Sequence, residues 1–175
     1  MDMGGAVLMA TFKFVGLEAL EKQLSQLERD AIPSAKRAVY RGSKVMADAI
    51  KANLNGLEAI SDKTALAAYQ KKEPAKLSEA QKEGLIAGFG IAAIEERNGV
   101  VNSKIGFAGY NSVVTRRWPK GQPNVMIARS CESGSSAMIK QPFVRPAISA
   151  ARSATEKAIR DSIETDIKKI TGGNK

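Results

Sequence analysis

Residues 131–147, CESGSSAMIKQPFVRPA, constrain the fold more than any other stretch of this 175-residue chain. They read as the end of one helix, a glycine turn, a short extended arm and the start of a long terminal helix. Gly134 supplies the positive-φ geometry that closes a helix. Pro146 suits a first helical turn, where no backbone donor is needed. Phe143 lies between Pro142 and Pro146, so it sits on an arm with little conformational freedom. Two readings follow: a presented aromatic that docks with Arg145 onto a neighbour, or a core phenylalanine that tucks the arm onto the body.

Two long amphipathic patterns flank this segment. Leu17, Leu20, Leu24 and Leu27 recur at helical spacing, with Glu18, Glu21, Lys22 and Glu28 on the other side. Pro33 is read as opening a second helix, whose stripe of small and aliphatic residues runs from Ala35 through Gly42 to Leu54 and stops at Asn55-Gly56. The terminal helix starts near Arg145, with Ile148, Ala151, Thr155, Ile159, Ile163, Ile167 and Ile170 as its expected apolar stripe. Residues 171–175 are expected as a frayed, disordered tail.

Strand signals are fewer. Residues 8–15 alternate, with Phe12 and Phe14 on one face. Asn98-Gly99 is a strong two-residue turn between strands expected over 91–97 and 100–107. Ser61-Asp62 suits the cap of a short helix through Tyr69, and Asn124 the cap of another that closes at Gly134. The rest of 57–82 is charged and weakly apolar, and is read as a loop or arm excursion. The fold class is therefore α+β: a small, mainly antiparallel sheet of three to four strands, with a hairpin, packed against two long helices in a single domain 1–175.

The composition steers function away from catalysis. The chain has no histidine, which removes the usual general base and the commonest zinc ligand. No paired-carboxylate constellation, Walker loop or Rossmann fingerprint is present in the sequence. A lysine-dependent nuclease is disfavoured on the same grounds. No cofactor, metal or membrane partner is expected: no apolar run approaches the ~18 residues of a span, and residues 1–10 lack the basic start of a secretory signal. The lone Cys131 is read as a small buried hydrophobe.

The charge is uneven. Of the formal +9, the stretch 97–145 carries eight bases against a single acid, Glu132. Arg116, Arg117 and Lys120 around Trp118 form its densest feature, in a loop made irregular by Pro119, Gly121 and Pro123. Such a loop contacts phosphates or an acidic neighbour by charge with some stacking. Alternatively Trp118 anchors the loop while its basic neighbours face water.

The order of these pieces resembles the neck or tail-completion proteins of long-tailed bacteriophages. The matching pieces are KIGFAGYN (104–111), PKGQPN (119–124), IARSCESGS (127–135) and QPFVRPA (141–147), within a resemblance spanning about 12–170. Ser135 departs from the threonine usual after Glu-x-Gly, and 57–82 is less typical. The resemblance implies a structural virion protein active in phage morphogenesis: a subunit of a ring, most often of six copies, at the head–tail junction or upper tail around the DNA channel. It would be made in the host cytoplasm and meet neck, tail-terminator or tail-tube proteins. The family offers no catalytic residues to carry over. Glu132, Gly134, Ser135, Pro142, Phe143, Arg145 and Pro146 are the motif positions for a subunit or partner interface; Arg116, Arg117, Trp118 and Lys120 are the candidates for DNA-channel contact. A soluble basic DNA-binding module is the alternative.

Overall fold

A computed structural model describes residues 17–172. Its frame is an antiparallel pair of long helices, α1 (Leu17–Asn55) and α5 (Val144–Gly172). Between them come α2 (Asp62–Lys71), α3 (Glu79–Gly88), β1 (Phe89–Ile91), β2 (Glu95–Arg97), β3 (Val100–Asn102), β4 (Ile105–Phe107) and α4 (Asn124–Ser133). The architecture is α+β with two long helices, as the sequence pattern implies. The expected strand at 8–15 lies outside the described residues.

The leucine helix and the small-residue helix are one element. Pro33 sits inside α1 instead of opening a second helix. Its ring removes one backbone bond, but α5 lies alongside this part of α1 and holds the helix together. Ser34, Ala38 and Gly42 are buried at steps of four along the contact. A Cβ at Gly42 would run into the Ile159 side chain, so glycine sets how closely the helices approach.

On α5 the buried face differs from the expected isoleucine stripe. The middle of the stripe holds: Ala151 is buried, and Thr155 and Ile159 pack against α1 at Gly42. Outside it Ala147, Ser162 and Asp166 face inward, whereas Ile148, Ile163 and Ile167 are 43 %, 38 % and 44 % exposed. Neighbouring stripes on a helix are only 100° apart per residue. The narrow side of α1 accepts small side chains, and Asp166 is drawn inward by Ser34 and Arg37. The helix also continues through Thr171 and Gly172, where a tail was expected; residues 173–175 lie outside the described part.

The strands form one long hairpin split into two ribbons. β1 pairs antiparallel with β4 (Phe89 with Phe107), and β2 with β3 (Arg97 with Val100). Asn98 and Gly99 take φ of 54° and 76°, the pair of positive values that the Asn-Gly turn supplies. Between the ribbons, Ala92–Ile94 face only Ser103 and Lys104. This extra residue is a bulge that shifts the register by one, which is why four strands make two two-stranded sheets.

The core gathers at the Asn55 end of α1. Leu54, Leu77, Leu85, Cys131 and Phe143 are fully or almost fully buried there, with Ile50 and Ile127 beside them. Phe107 bridges Phe89 (centroids 5.1 Å apart) and Phe143 (5.8 Å, edge-on), which ties the ribbon to the arm. The expected excursion 57–82 feeds this core. α2 is capped by Ser61 as anticipated, but the chain then returns through a bridge from Ala75 to Met138, buries Leu77, and starts α3 with a capping box of Ser78 and Gln81. The high charge of this stretch concealed a single buried leucine and an N-cap serine.

Candidate functional site

The arm at 131–147 is built into the fold. Gly134 caps α4 at φ 78°, and its amide donates to the Ser130 carbonyl at 2.8 Å. Asn124, read as the α4 cap, is the first helical residue instead; its side chain donates to the Ala108 carbonyl at 2.8 Å, and Pro123 holds the cap position. Ser135 and Met138 exchange backbone bonds to turn the chain back. Gln141 then stitches three segments: its amide donates to the Cys131 carbonyl, its Oε1 accepts from Leu77 and its Nε2 donates to the Glu58 carbonyl.

Glu132 completes the arrangement. Its carboxylate accepts the backbone amides of Phe143 and Val144 at 2.8 Å and of Arg145 at 3.0 Å. These are the donors that a helix leaves free at its N-terminus, and a negative charge there also meets the positive end of the α5 dipole. Burial alone pushes the Glu132 carboxyl up. The three backbone bonds, with the Arg145 guanidinium nearby, outweigh it and hold the group below the usual carboxylate range. The adjacent Cys131 thiol is pushed up to about 11, first by burial and then by the Glu132 charge, so it stays protonated and unreactive near neutrality.

This arrangement sorts the expected interface residues. Glu132, Gly134 and Phe143 are committed to the chain's own fold; Phe143 is 1 % exposed and is not presented to a neighbour. The flanking prolines stiffen the arm, and the ring it carries packs inward on Phe107. Ser135, Pro142, Arg145 and Pro146 remain on the surface.

The basic loop is a closed stirrup. Its base is the bridge between Tyr110 and Pro123, backed by the Asn111 amide donating to Gln122. Buried Asn111 accepts the amides of Val113 and Gln122 on its side-chain oxygen. Gly121, at φ 96°, lies so close to the Asn111 carbonyl that no larger residue fits. Near the tip, Thr115 and Trp118 exchange backbone bonds at 3.0 and 3.1 Å. Arg116, Arg117 and Lys120 are exposed, and none pairs with an acid among the described residues. Trp118 is half-buried, with the Arg117 guanidinium 5.5 Å from its ring centroid. The part-buried tryptophan carries a cation on its face while its basic neighbours stand in water, as the anchoring reading expects. Tyr110 and Val114 are more than 60 % exposed and add an apolar patch.

A third surface escaped the sequence analysis. The contacts of Asn53 with Phe143, Gly42 with Ile159 and Ser34 with Asp166 fix the antiparallel pairing of α1 and α5. Extended along both helices, that pairing brings Gly172 beside residue 28, so about ten residues of α1, some 15 Å, project past the end of α5. Leu20 and Leu24 on this projection are more than half exposed. Next to it an apolar groove of about 340 Å³ opens between the helices, lined by Leu27, Ala31 and Ala35 on one side and Ile163, Ile167 and Ile170 on the other, with Asp30 at its edge. At the groove's inner end Asp166 takes bonds from the Ser34 hydroxyl (2.8 Å) and the Arg37 guanidinium (3.0 Å), which, with the charges of Arg37 and Lys169, hold its carboxyl below its ordinary value against the effect of burial. The leucine repeat was visible in the sequence; that nothing described covers it required the pairing.

Among the described residues no helix is long and apolar enough to cross a membrane. No family model, curated protein or solved structure matches this chain.

Proposed function

We propose that this chain is a structural virion protein of a tailed phage, a subunit of an oligomeric ring at the head–tail junction or the upper end of the tail. The reading starts from the resemblance carried by residues 104–111, 119–124, 127–135 and 141–147. The observation that carries it is the open helix end: among the described residues nothing covers Leu20, Leu24, Ile163 and Ile167, and an apolar face of this kind suits a partner. Neighbouring neck, tail-terminator or tail-tube proteins are the further partners, and the mature virion, after assembly in the host cytoplasm, is the location. In a ring the stirrup is repeated in every subunit, so Arg116, Arg117 and Lys120 would present a band of positive charge to DNA in the channel.

The test is to purify particles encoded together with this chain and image their neck. The chain is expected in a small fixed number of copies in one closed ring; absence from mature particles contradicts the proposal. Replacing Arg116, Arg117 and Lys120 by alanine tests the channel role separately, through DNA passage in assembled particles.

A second reading, a soluble basic DNA-binding module, is favoured by one observation: three unpaired cations and a half-exposed tryptophan on a closed loop. It requires the isolated protein to bind duplex DNA with an affinity that falls with salt, by a log–log slope of at most about −3 for three phosphate contacts. The ring reading expects weak binding by the isolated subunit.

A further inference from the structure

The basic stirrup has no core of its own. None of residues 112–120 is buried, so no packed side chain fixes where Arg116, Arg117 and Lys120 stand. Hydrogen bonds do that work, and at the root they converge on Asn111, which is 4 % exposed. Its side-chain oxygen accepts the amide of Val113 on the outgoing leg at 2.9 Å and the amide of Gln122 on the returning leg at 3.2 Å. Its own amide donates to the Gln122 carbonyl at 3.0 Å. One side chain therefore ties both legs together.

The rest of the molecule makes room for it. A Cβ at Gly84 of α3 would run into the Asn111 side chain, and one at Gly121 into its carbonyl. Gln81, also on α3, holds the returning leg, its Nε2 donating to Gln122 Oε1 at 2.8 Å. The tip, by contrast, is fastened only to itself: the Trp118 amide donates to the Thr115 carbonyl and hydroxyl, and the Gly121 amide to the Trp118 carbonyl. No acid occurs between residues 109 and 123, and Glu79 and Glu83 of α3 make no ion pair with the three cations.

We propose that Asn111 is the positioning residue of a phosphate-contact site. It touches no phosphate itself. By clamping the two legs it keeps Arg116, Arg117 and Lys120 together as one preformed group, so that the loop is not ordered anew at each contact with a nucleic-acid backbone. The inference rests on the channel-contact reading above and deepens it by naming the residue that shapes the site.

The test uses the full chain and two readouts. Amide hydrogen exchange reports the clamp without any DNA. In the wild type the Val113 and Gln122 amides should exchange more slowly than those of Ser112 and Val114, which have no acceptor among the described residues. Asn111→Ala should release the loop amides while those of α3 and α4 stay protected, and Asn111→Asp, which keeps the accepting oxygen, should restore them. Binding of a short duplex DNA at low salt reports the site. Replacing Arg116, Arg117 and Lys120 by alanine should weaken binding and flatten the log–log salt slope by up to about 3. Asn111→Ala loses no charge, so its slope should stay, but its affinity should fall about tenfold, the cost of ordering roughly one residue of backbone at each contact.

Fast exchange at Val113 and Gln122 in the wild type overturns the clamp whether or not a variant folds. Asn111→Ala that binds like the wild type, or that weakens the whole fold without loosening the loop first, overturns the positioning role. A triple alanine variant that binds like the wild type, or a wild type that binds no duplex at low salt, removes the phosphate contact on which the inference rests, even where exchange shows the clamp intact. The two failures are thus separate.

Discussion

At its Asn55 end, α1 is held by large apolar side chains and by a charged cap on the neighbouring helix: Leu54, Leu77, Leu85 and Phe143 exclude water, and Glu132 satisfies the first amides of α5. Toward Leu17, the same helix is held first by small residues and one polar cluster (Ser34, Arg37 and Asp166), and beyond residue 28 by nothing described. The two regions use their hydrophobic residues in opposite ways. The body buries its leucines to specify one fold, whereas the helix end leaves leucines and isoleucines in water. The first holds one fold together; the second is the surface that the proposed assembly would use.

This contrast is breakable by mutation. Phe143→Ala empties the centre of the body and should cost about 3–5 kcal/mol, read by urea unfolding; a loss below about 1 kcal/mol would mean the arm is not part of the core. Glu132→Ala leaves three amide donors at the start of α5 without their acceptor and should cost about 2–3 kcal/mol. The pH dependence sharpens that result. The folded carboxyl titrates below its unfolded value, so its contribution is complete above the unfolded value and fades as the pH falls through the folded one. Wild-type stability should therefore drop on acidification, and Glu132→Gln should flatten part of the drop. Gly42→Ala, at the boundary between the two regions, drives a methyl into Ile159 and should cost about 1–3 kcal/mol. Leu24→Ala, at the open end, should change the stability of the monomer by less than about 0.5 kcal/mol while weakening any assembly.

Legibility in the sequence followed the same division. Local signals read true: the Asn98-Gly99 turn, the Ser61 cap, the Gly134 stop and the two long helices all rest on backbone chemistry within a few residues. Misreadings arose where a distant partner decides. Pro33 is an ordinary helix breaker until α5 is laid beside it. The isoleucine stripe of α5 is a plausible core until Asp166 finds Ser34 and Arg37 on another element. Phe143 on its stiff arm had two outcomes of equal local merit, and the ring of Phe107, distant in sequence and backed by Phe89, decides for the core. Of the candidate site, the basic loop could be found from composition alone. The groove could not, since it exists only once the offset between two helices is known.

The central proposal is that the open helix end of the described body is covered by a further copy of the chain. Native mass spectrometry of the purified full-length protein tests it most directly. The account predicts masses at multiples of the 18.7 kDa chain, reduced to the single chain by Leu24→Glu with Ile167→Glu, with the fold retained. A wild type that remains at the single-chain mass at every concentration, indistinguishable from that variant, would contradict it.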